Sequence, residues 1–107
     1  MGVTLTFHEM TNTQLQRHIR LQSKNSHFVF ITDHARERMS QRSVTDIQVI
    51  QCLRDGIIQR PPSIDKKTGD IKCRMDHFGT ARNLSVIVAL DDADPDLIVV
   101  TVMTQAR

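Results

Sequence analysis

The segment Leu84-Ser85-Val86-Ile87-Val88-Ala89-Leu90 decides the fold of this 107-residue chain. Its two leucines and two valines occupy every second position, a period that is typical of a β-strand with one buried face. A second apolar run, residues 97–103, is interrupted only by Thr101 and predicts a strand that is covered on both faces. We therefore expect the C-terminal part of the chain to supply the centre of a sheet.

Residues 70–78 predict a third strand, which ends at a turn over residues 79–83. Because successive side chains of a strand point to opposite faces, its apolar and charged residues separate. The apolar face holds Ile71, Cys73 and Met75, and the charged face holds Lys72, Arg74 and Asp76. Residues 63–69 follow two prolines, which stop regular pairing, and they predict a loop.

Helices are predicted before these strands. Thr11-x-x-Gln14 is a capping box that opens a helix to about Gln22, with a thin apolar stripe of Leu15 and Ile19. After a short β-rich run at residues 28–31, a second helix runs through about Gln41, capped by Thr32 or Asp33. Its buried face is predicted to hold Ile31, Ala35 and Met39.

A third helix, capped by Ser43 or Thr45, runs to about Arg54, and its core stripe is predicted to be Ile47, Ile50 and Leu53. The chain is thus expected to be α+β, with two to three helices packed on one face of a small, mostly antiparallel sheet of three to four strands. We expect a single domain over residues 1–107. Residues 1–27 form an N-terminal extension with a polar helix, and residues 28–107 form the core.

The composition excludes several classes of protein. No apolar run approaches the roughly 18 residues that span a bilayer, and the chain start lacks the features of a signal peptide. Two cysteines are too few for a disulfide scaffold, so a cytoplasmic location is expected. The chain has no Trp and no Tyr, which argues against single-strand binding on rows of stacked aromatic rings.

The net charge of +2 conceals an asymmetry. Residues 1–82 carry 13 basic and 8 acidic side chains, whereas residues 83–107 carry 1 basic and 4 acidic side chains. The two parts therefore have net charges of +5 and −3. A one-sided basic surface is typical of proteins that bind phosphate polymers, although it is also compatible with a solvated face.

One predicted helix carries the chemistry-bearing side chains, in the segment His34-Ala35-Arg36-Glu37-Arg38-Met39-Ser40-Gln41-Arg42. His34, Arg38 and Arg42 recur every four residues and so share one helix face. With its H-A-x-x-R-M-x-x-R pattern and its Val-Ile-Val and Val-Val-Thr-Val strands, the chain over residues 28–104 resembles an uncharacterised bacterial domain family that is defined by an HAxxRM helix. That family is similar to the RelE-like ribonuclease toxins of the barnase–colicin–RelE superfold.

The resemblance implies a toxin-like endoribonuclease that works without metal or cofactor, often on ribosome-bound mRNA, and is controlled by an antitoxin protein. Attack of a 2′-hydroxyl on its neighbouring phosphate needs a base, an acid and cations. The residue-level hypothesis gives His34 the role of base or acid and Arg38 that of phosphate clamp. It adds Arg74 as a second cation and Thr101, the last-strand threonine of the family, as an orienting group. Backbone phosphates would be held by Arg36, Arg42, Lys72 and Arg82.

Other interpretations stay open. A non-catalytic module that binds nucleic acid or protein, for example in a phage–host contest, is favoured by the missing Tyr and by the unmatched helix at residues 14–22. A homodimer would cover open sheet edges and apolar helix faces with a second copy. Arg74 beside Asp76 is typical of an ion pair. We expect no metal site, because Cys52 and Cys73 fit better as small core residues.

Overall fold

The computed structural model describes residues 5–79 and 82–105. The chain start and part of the predicted turn at 79–83 lie outside these ranges. Within them, each α-helix begins after a threonine whose hydroxyl accepts a hydrogen bond from the backbone N–H three residues later. The helices are α1 (Asn12–Gln22), α2 (Asp33–Arg42) and α3 (Asp46–Asp55), and their caps are Thr11, Thr32 and Thr45. In this part of the chain, no helix has both the length and the apolar character that crossing a bilayer requires.

The strands form one mixed sheet in the order β1-β5-β4-β3-β2. They are β1 (Val29–Ile31), β2 (Ser63–Ile64), β3 (Ile71–Phe78), β4 (Asn83–Leu90) and β5 (Leu97–Gln105). All neighbours are antiparallel except β1 and β5, which are parallel. The α+β prediction is therefore confirmed, with one strand more than expected, because β2 falls within the predicted loop at 63–69.

The helices cover one face of this sheet. Alternate residues of β3, β4 and β5 belong to the same buried cluster as Leu15 and Ile19 of α1, Ala35 and Met39 of α2, and Leu53 of α3. The N-terminal helix α1 is thus part of the core and not an appendage. Removing its two fully buried side chains from water stabilises the fold by about 1.5–3 kcal/mol each.

The opposite side of the sheet, which we call the open face, carries no helix in the described ranges. Its central residues are Lys72, Arg74, Asp76, Ser85, Ile87, Ala89, Ile98, Thr101 and Met103. Ile98, Thr101 and Met103 are only half-buried, so the expectation that β5 is covered on both faces is wrong. The buried polar pair on this face, Asp76 and Ser85, is discussed below.

A β-bulge in β5 determines which way Thr101 points. Val88 pairs with Val99 and Ile87 pairs with Thr101, which leaves Val100 as an extra residue. The extra residue shifts the alternation, so that Val99 points into the core and Thr101 points to the open face. Strict alternation from Leu97 would have placed Thr101 in the core.

The predicted core stripe of α3 is wrong in part. Ile47 is 77% exposed, and the buried residues of α3 are Val49, Cys52 and Leu53. The helix has apolar residues on more than one side, and its rotation is fixed by the contact of its C-terminal end with β3. There Gly56 is buried so closely against the backbone that an added Cβ would collide with the Cys52 carbonyl oxygen and lie 3.0 Å from that of Asp76.

Candidate functional site

Helix α2 holds His34 and Arg38 in a fixed position. The hydroxyl of Thr32 donates to the Val99 carbonyl oxygen at 2.9 Å and accepts from the Ala35 N–H at 3.2 Å, which ties the start of α2 to β5. Ala35 and Met39 are buried, as predicted. Residues four positions apart lie one turn apart on the same side of a helix, so His34 and Arg38 share one flank of α2.

The two side chains of this flank remain accessible. His34 is exposed and makes no side-chain hydrogen bond with the described residues. Arg38 is half-buried and donates from Nη1 to Gln41 Oε1 at 3.0 Å. A guanidinium has five N–H donors, so this bond leaves Arg38 able to bind an anion. The α2 flank therefore presents an imidazole beside a guanidinium.

The other predicted arginines of α2 have partners within the protein or lie at its end. Arg36 pairs with Asp46 at 3.3 Å, and both side chains are about half exposed, so the pair contributes little to stability. Arg42 is the last residue of α2 and is half-buried. Arg36 thus ties α2 to the start of α3, whereas Arg42 makes no side-chain hydrogen bond with the described residues.

Arg74 and Thr101 share the open face but are separated by strand β4. Arg74 pairs with Ile87, and Ile87 pairs with Thr101, so the three lie in one row across β3, β4 and β5. Neighbouring strands are about 4.8 Å apart, which places the backbones of Arg74 and Thr101 roughly 10 Å apart. The predicted catalytic quartet is therefore divided: His34 and Arg38 lie on α2, which packs on the other face. Among the described residues, no hydrogen bond joins any two of the four.

A polar network on the open face fixes Arg74. The sequence predicts its ion pair with Asp76, which the structure confirms, but not the links through Ser85 and Gln105. Asp76 is 4% exposed, and its Oδ1 accepts from Arg74 Nε at 2.8 Å and from Ser85 Oγ at 2.6 Å. Gln105 Nε2 donates to Ser85 Oγ at 3.2 Å, which extends the network to β5. Because only Nε of Arg74 is used, its two terminal nitrogens remain available for an anion.

Lys72 lies on the open face one pleat from Arg74. Its Nζ is 3.8 Å from Asp65 Oδ2, and both side chains are about one-third exposed. Hydrogen bonds from the backbone N–H groups of Lys67 and Thr68 lower the pKa of Asp65, and the charge of Lys72 adds to the effect. Because this ion pair is long and partly solvated, Asp65 neutralises the charge of Lys72 only in part.

Arg82 caps the C-terminal end of α2. Its guanidinium donates to the carbonyl oxygens of Arg42, at 2.6 Å, and of Ser43, which adopts a left-handed conformation with φ of 54°. Arg82 also lines a cleft of about 370 Å³, together with His77 and Gln48. Through these hydrogen bonds, Arg82 holds the end of α2 against the end of the sheet where β3 and β4 are connected.

The cysteines behave as core residues. Cys52 and Cys73 are both free thiols and both fully buried, as predicted. Burial raises the pKa of the Cys52 thiol to about 12 and that of the Cys73 thiol to about 11. Both therefore stay protonated and unreactive at neutral pH. In residues 5–79 and 82–105, no three His, Cys, Asp or Glu side chains cluster as metal ligands would.

Fold and site together define an α+β domain with an imidazole–guanidinium pair on one helix and anchored cations on the open face of its sheet. A family described as a domain of unknown function, DUF4258, matches residues 31–104, and the chain belongs to this family. The match begins at the last residue of β1, so it does not include α1. Comparison with curated proteins and with solved structures gave no match.

Proposed function

We propose that this protein is a toxin-like, metal-independent endoribonuclease that is controlled by an antitoxin. The observation that carries the proposal is the pair of His34 and Arg38, one turn apart on the accessible flank of α2. This pair lies in the segment that resembles the HAxxRM helix, and through it the RelE-like toxins. Imidazole exchanges protons near neutral pH, and a guanidinium matches two phosphate oxygens.

In the proposed reaction, the 2′-hydroxyl of one nucleotide attacks the adjacent phosphorus. A new O2′–P bond forms, the P–O5′ bond breaks, and the products carry a 2′,3′-cyclic phosphate and a 5′-hydroxyl. His34 accepts the proton of the 2′-hydroxyl or supplies the proton to the leaving O5′, and solvent serves the other step. Arg38 neutralises the charge that develops on the phosphorane oxygens.

The cations of the open face have a separate role in this proposal. Arg74 of β3, held by Asp76, and Thr101 of β5 lie on the sheet face opposite to α2, and in this proposal they contact RNA on either side of the cleavage point. Lys72 lies one pleat further along the same face and binds a backbone phosphate. Arg36 and Arg42 supply positive charge on α2 itself, and Arg82 supports the helix that carries His34.

The decisive experiment is incubation of the purified protein with RNA in the presence of EDTA, with and without ribosomes. We expect fragments with 2′,3′-cyclic phosphate ends. His34→Ala and Arg38→Ala are expected to abolish these ends. The matched controls His27→Ala and Arg60→Ala remove an exposed histidine and an exposed arginine away from α2, and they should leave cleavage intact. Absence of cyclic phosphate ends under both conditions contradicts the proposal.

A second candidate function is a non-catalytic module whose open face binds a protein. The supporting observation is the exposed ring of Phe30, 55% accessible, in a row with Ile98 and Ala89 on the open face. Growth arrest on expression of the variants distinguishes the two functions. Arrest that persists in His34→Ala but disappears in Phe30→Ser supports the binding module, and the reverse pattern supports the nuclease. Light scattering of the purified protein reports whether a second copy is the partner.

A further inference from the structure

A cleft of about 440 Å³ runs along α1, from Thr13 to Lys24, and reaches the C-terminal end of α3 at Arg54. We call it the α1–α3 cleft. Four of the side chains that line it are cationic, namely Arg17, Arg20, Lys24 and Arg54, and no carboxylate lines it. Helix α1 packs mainly on α3, whereas α2, which carries His34 and Arg38, packs mainly on β5, and α1 lies outside the segment that matches the family.

Two of the four cations hold the cleft in shape. Arg20 donates to the Gly56 carbonyl oxygen at 2.7 Å and 3.0 Å, and Arg54 donates to the Ser23 carbonyl oxygen at 3.2 Å. Each helix end carries roughly half a negative charge, so two helix ends offset about one of the four positive charges. Among the residues that line the cleft, an excess of about three positive charges therefore remains.

The other two cations are not neutralised by the described residues. Arg17 and Lys24 are exposed, and their side chains make no ion pair or hydrogen bond with residues 5–79 or 82–105. Residues 10–32 contain no Asp or Glu, so α1 and the residues that adjoin it in sequence supply no counter-charge. Positive charge that the fold leaves unpaired in a concave site attracts anions.

We propose that the α1–α3 cleft binds the backbone phosphates of RNA, as a second contact that positions the substrate away from the α2 flank. The inference rests on the proposed function for its choice of ligand. Arg17 and Lys24 would contact the phosphates, while Arg20 and Arg54 stay with their carbonyl partners and add their fields. A membrane surface fits less well, because a membrane-binding helix needs an exposed apolar face. Leu15 and Ile19 of α1 are fully buried, which leaves Leu21 as its exposed large apolar residue.

The test measures RNA binding separately from cleavage. Fluorescence anisotropy of a labelled single-stranded RNA is recorded over a range of salt concentrations with the His34→Ala protein, in which the RNA stays intact. The cleft variant adds Arg17→Ala and Lys24→Ala. The matched control adds Lys66→Ala and Lys67→Ala, which remove two exposed charges from the loop before β3. All three proteins are checked for equal thermal unfolding.

We expect about tenfold weaker binding of the cleft variant at low salt, with a salt slope that is smaller by about 1.4, or ~0.7 for each lost phosphate contact. The control should bind like its parent. Equal losses in the two variants, unchanged binding of the cleft variant, or binding of anionic phosphatidylserine vesicles without RNA binding would each overturn the inference. If the wild-type protein binds RNA through the cleft but produces no cyclic phosphate ends, the inference stands and the proposed nuclease activity does not.

Discussion

Arg20 and Arg54 each cap the helix that carries the other. Arg20 of α1 donates to the carbonyl oxygens of Asp55 and Gly56 at the end of α3, and Arg54 of α3 donates to those of Ser23 and Lys24 at the end of α1. The last carbonyls of a helix lack partners within the helix, and a cation there also offsets the helix dipole. These reciprocal hydrogen bonds hold α1 against the segment that matches the family, in addition to the burial of Leu15 and Ile19.

Arg20→Ala and Arg54→Ala are each expected to lower the free energy of unfolding by about 1–2 kcal/mol, because each removes charge-assisted hydrogen bonds that are partly shielded from water. Urea denaturation measures the effect. Since both changes loosen the same pair of helices, the double variant should lose less than the sum. The control is Arg60→Ala, in the exposed loop after α3. If the Arg20→Ala and Arg54→Ala variants have the same urea midpoint as this control, the capping role is wrong.

Asp76→Ala is expected to lower the free energy of unfolding by about 3 kcal/mol. The substitution leaves the Arg74 guanidinium and the buried Ser85 hydroxyl without their acceptor, and an unpartnered charge near the interior is costly. The comparison is Asp46→Ala, which breaks an exposed pair with Arg36 and should change stability by less than about 1 kcal/mol. If the two variants unfold at the same denaturant concentration, Asp76 does not have the stabilising role that its hydrogen bonds to Arg74 and Ser85 indicate.

Stability is expected to fall in mild acid because of His18. Burial lowers the pKa of the His18 imidazole below its ordinary value of 6.5, and its ring lies 4.8 Å from the ring of Phe7. The unfolded chain therefore binds a proton at a higher pH than the folded protein. The part of the free energy of unfolding that depends on a neutral His18 is fully present above about pH 6.5. It is lost as the pH falls from there toward the pKa of His18 in the folded protein.

His18→Phe keeps a ring beside Phe7 and removes the titrating group. Urea midpoints measured at about pH 7.5 and about pH 5.5 should then differ less in the variant than in the wild-type protein. The same pH dependence in both proteins would show that other groups cause the acid loss.

The α2 flank predicts a separation of activity from stability. His34→Ala should lower the rate constant for RNA cleavage by about 10²–10⁴-fold, the usual range for loss of a general acid or base. Arg38→Lys keeps the charge but loses the fork that matches two phosphate oxygens, so an intermediate rate is expected. Thermal unfolding of both variants should match the wild type, because His34 is exposed and Arg38 bonds only to Gln41 among the described residues. A slower variant that also unfolds at lower temperature would point to a structural role.

Local signals predicted most of the elements. The caps Thr11, Thr32 and Thr45 and the alternation in β4 each depend on residues that are close together in sequence, and the structure confirms them. The two-residue strand β2 is too short to show any period, so the sequence does not predict it. The sequence does not predict the exposure of Ile47, because α3 has apolar residues on more than one side. The close contact of Gly56 with β3 that orients the helix is not a local signal.

Much of the candidate site depends on contacts between distant residues. The sequence identified His34 and Arg38, since both lie in one helical turn. It did not reveal that Ser85 and Gln105 join Asp76, because that requires the register of three strands. Nor did it reveal the direction of Thr101, which a single extra residue, Val100, reverses.

The parallel pairing of β1 with β5 makes the order of synthesis matter. Thr32, at the end of β1, bonds to Val99, 67 positions later in the chain. Before β5 has been made, the strand on which α2 mainly packs is missing, so we expect Ala35 and Met39 to be exposed. Closing so long a loop slows folding. We therefore expect β1 and α2 of a newly made chain to reach their folded arrangement only after β5 has been synthesised.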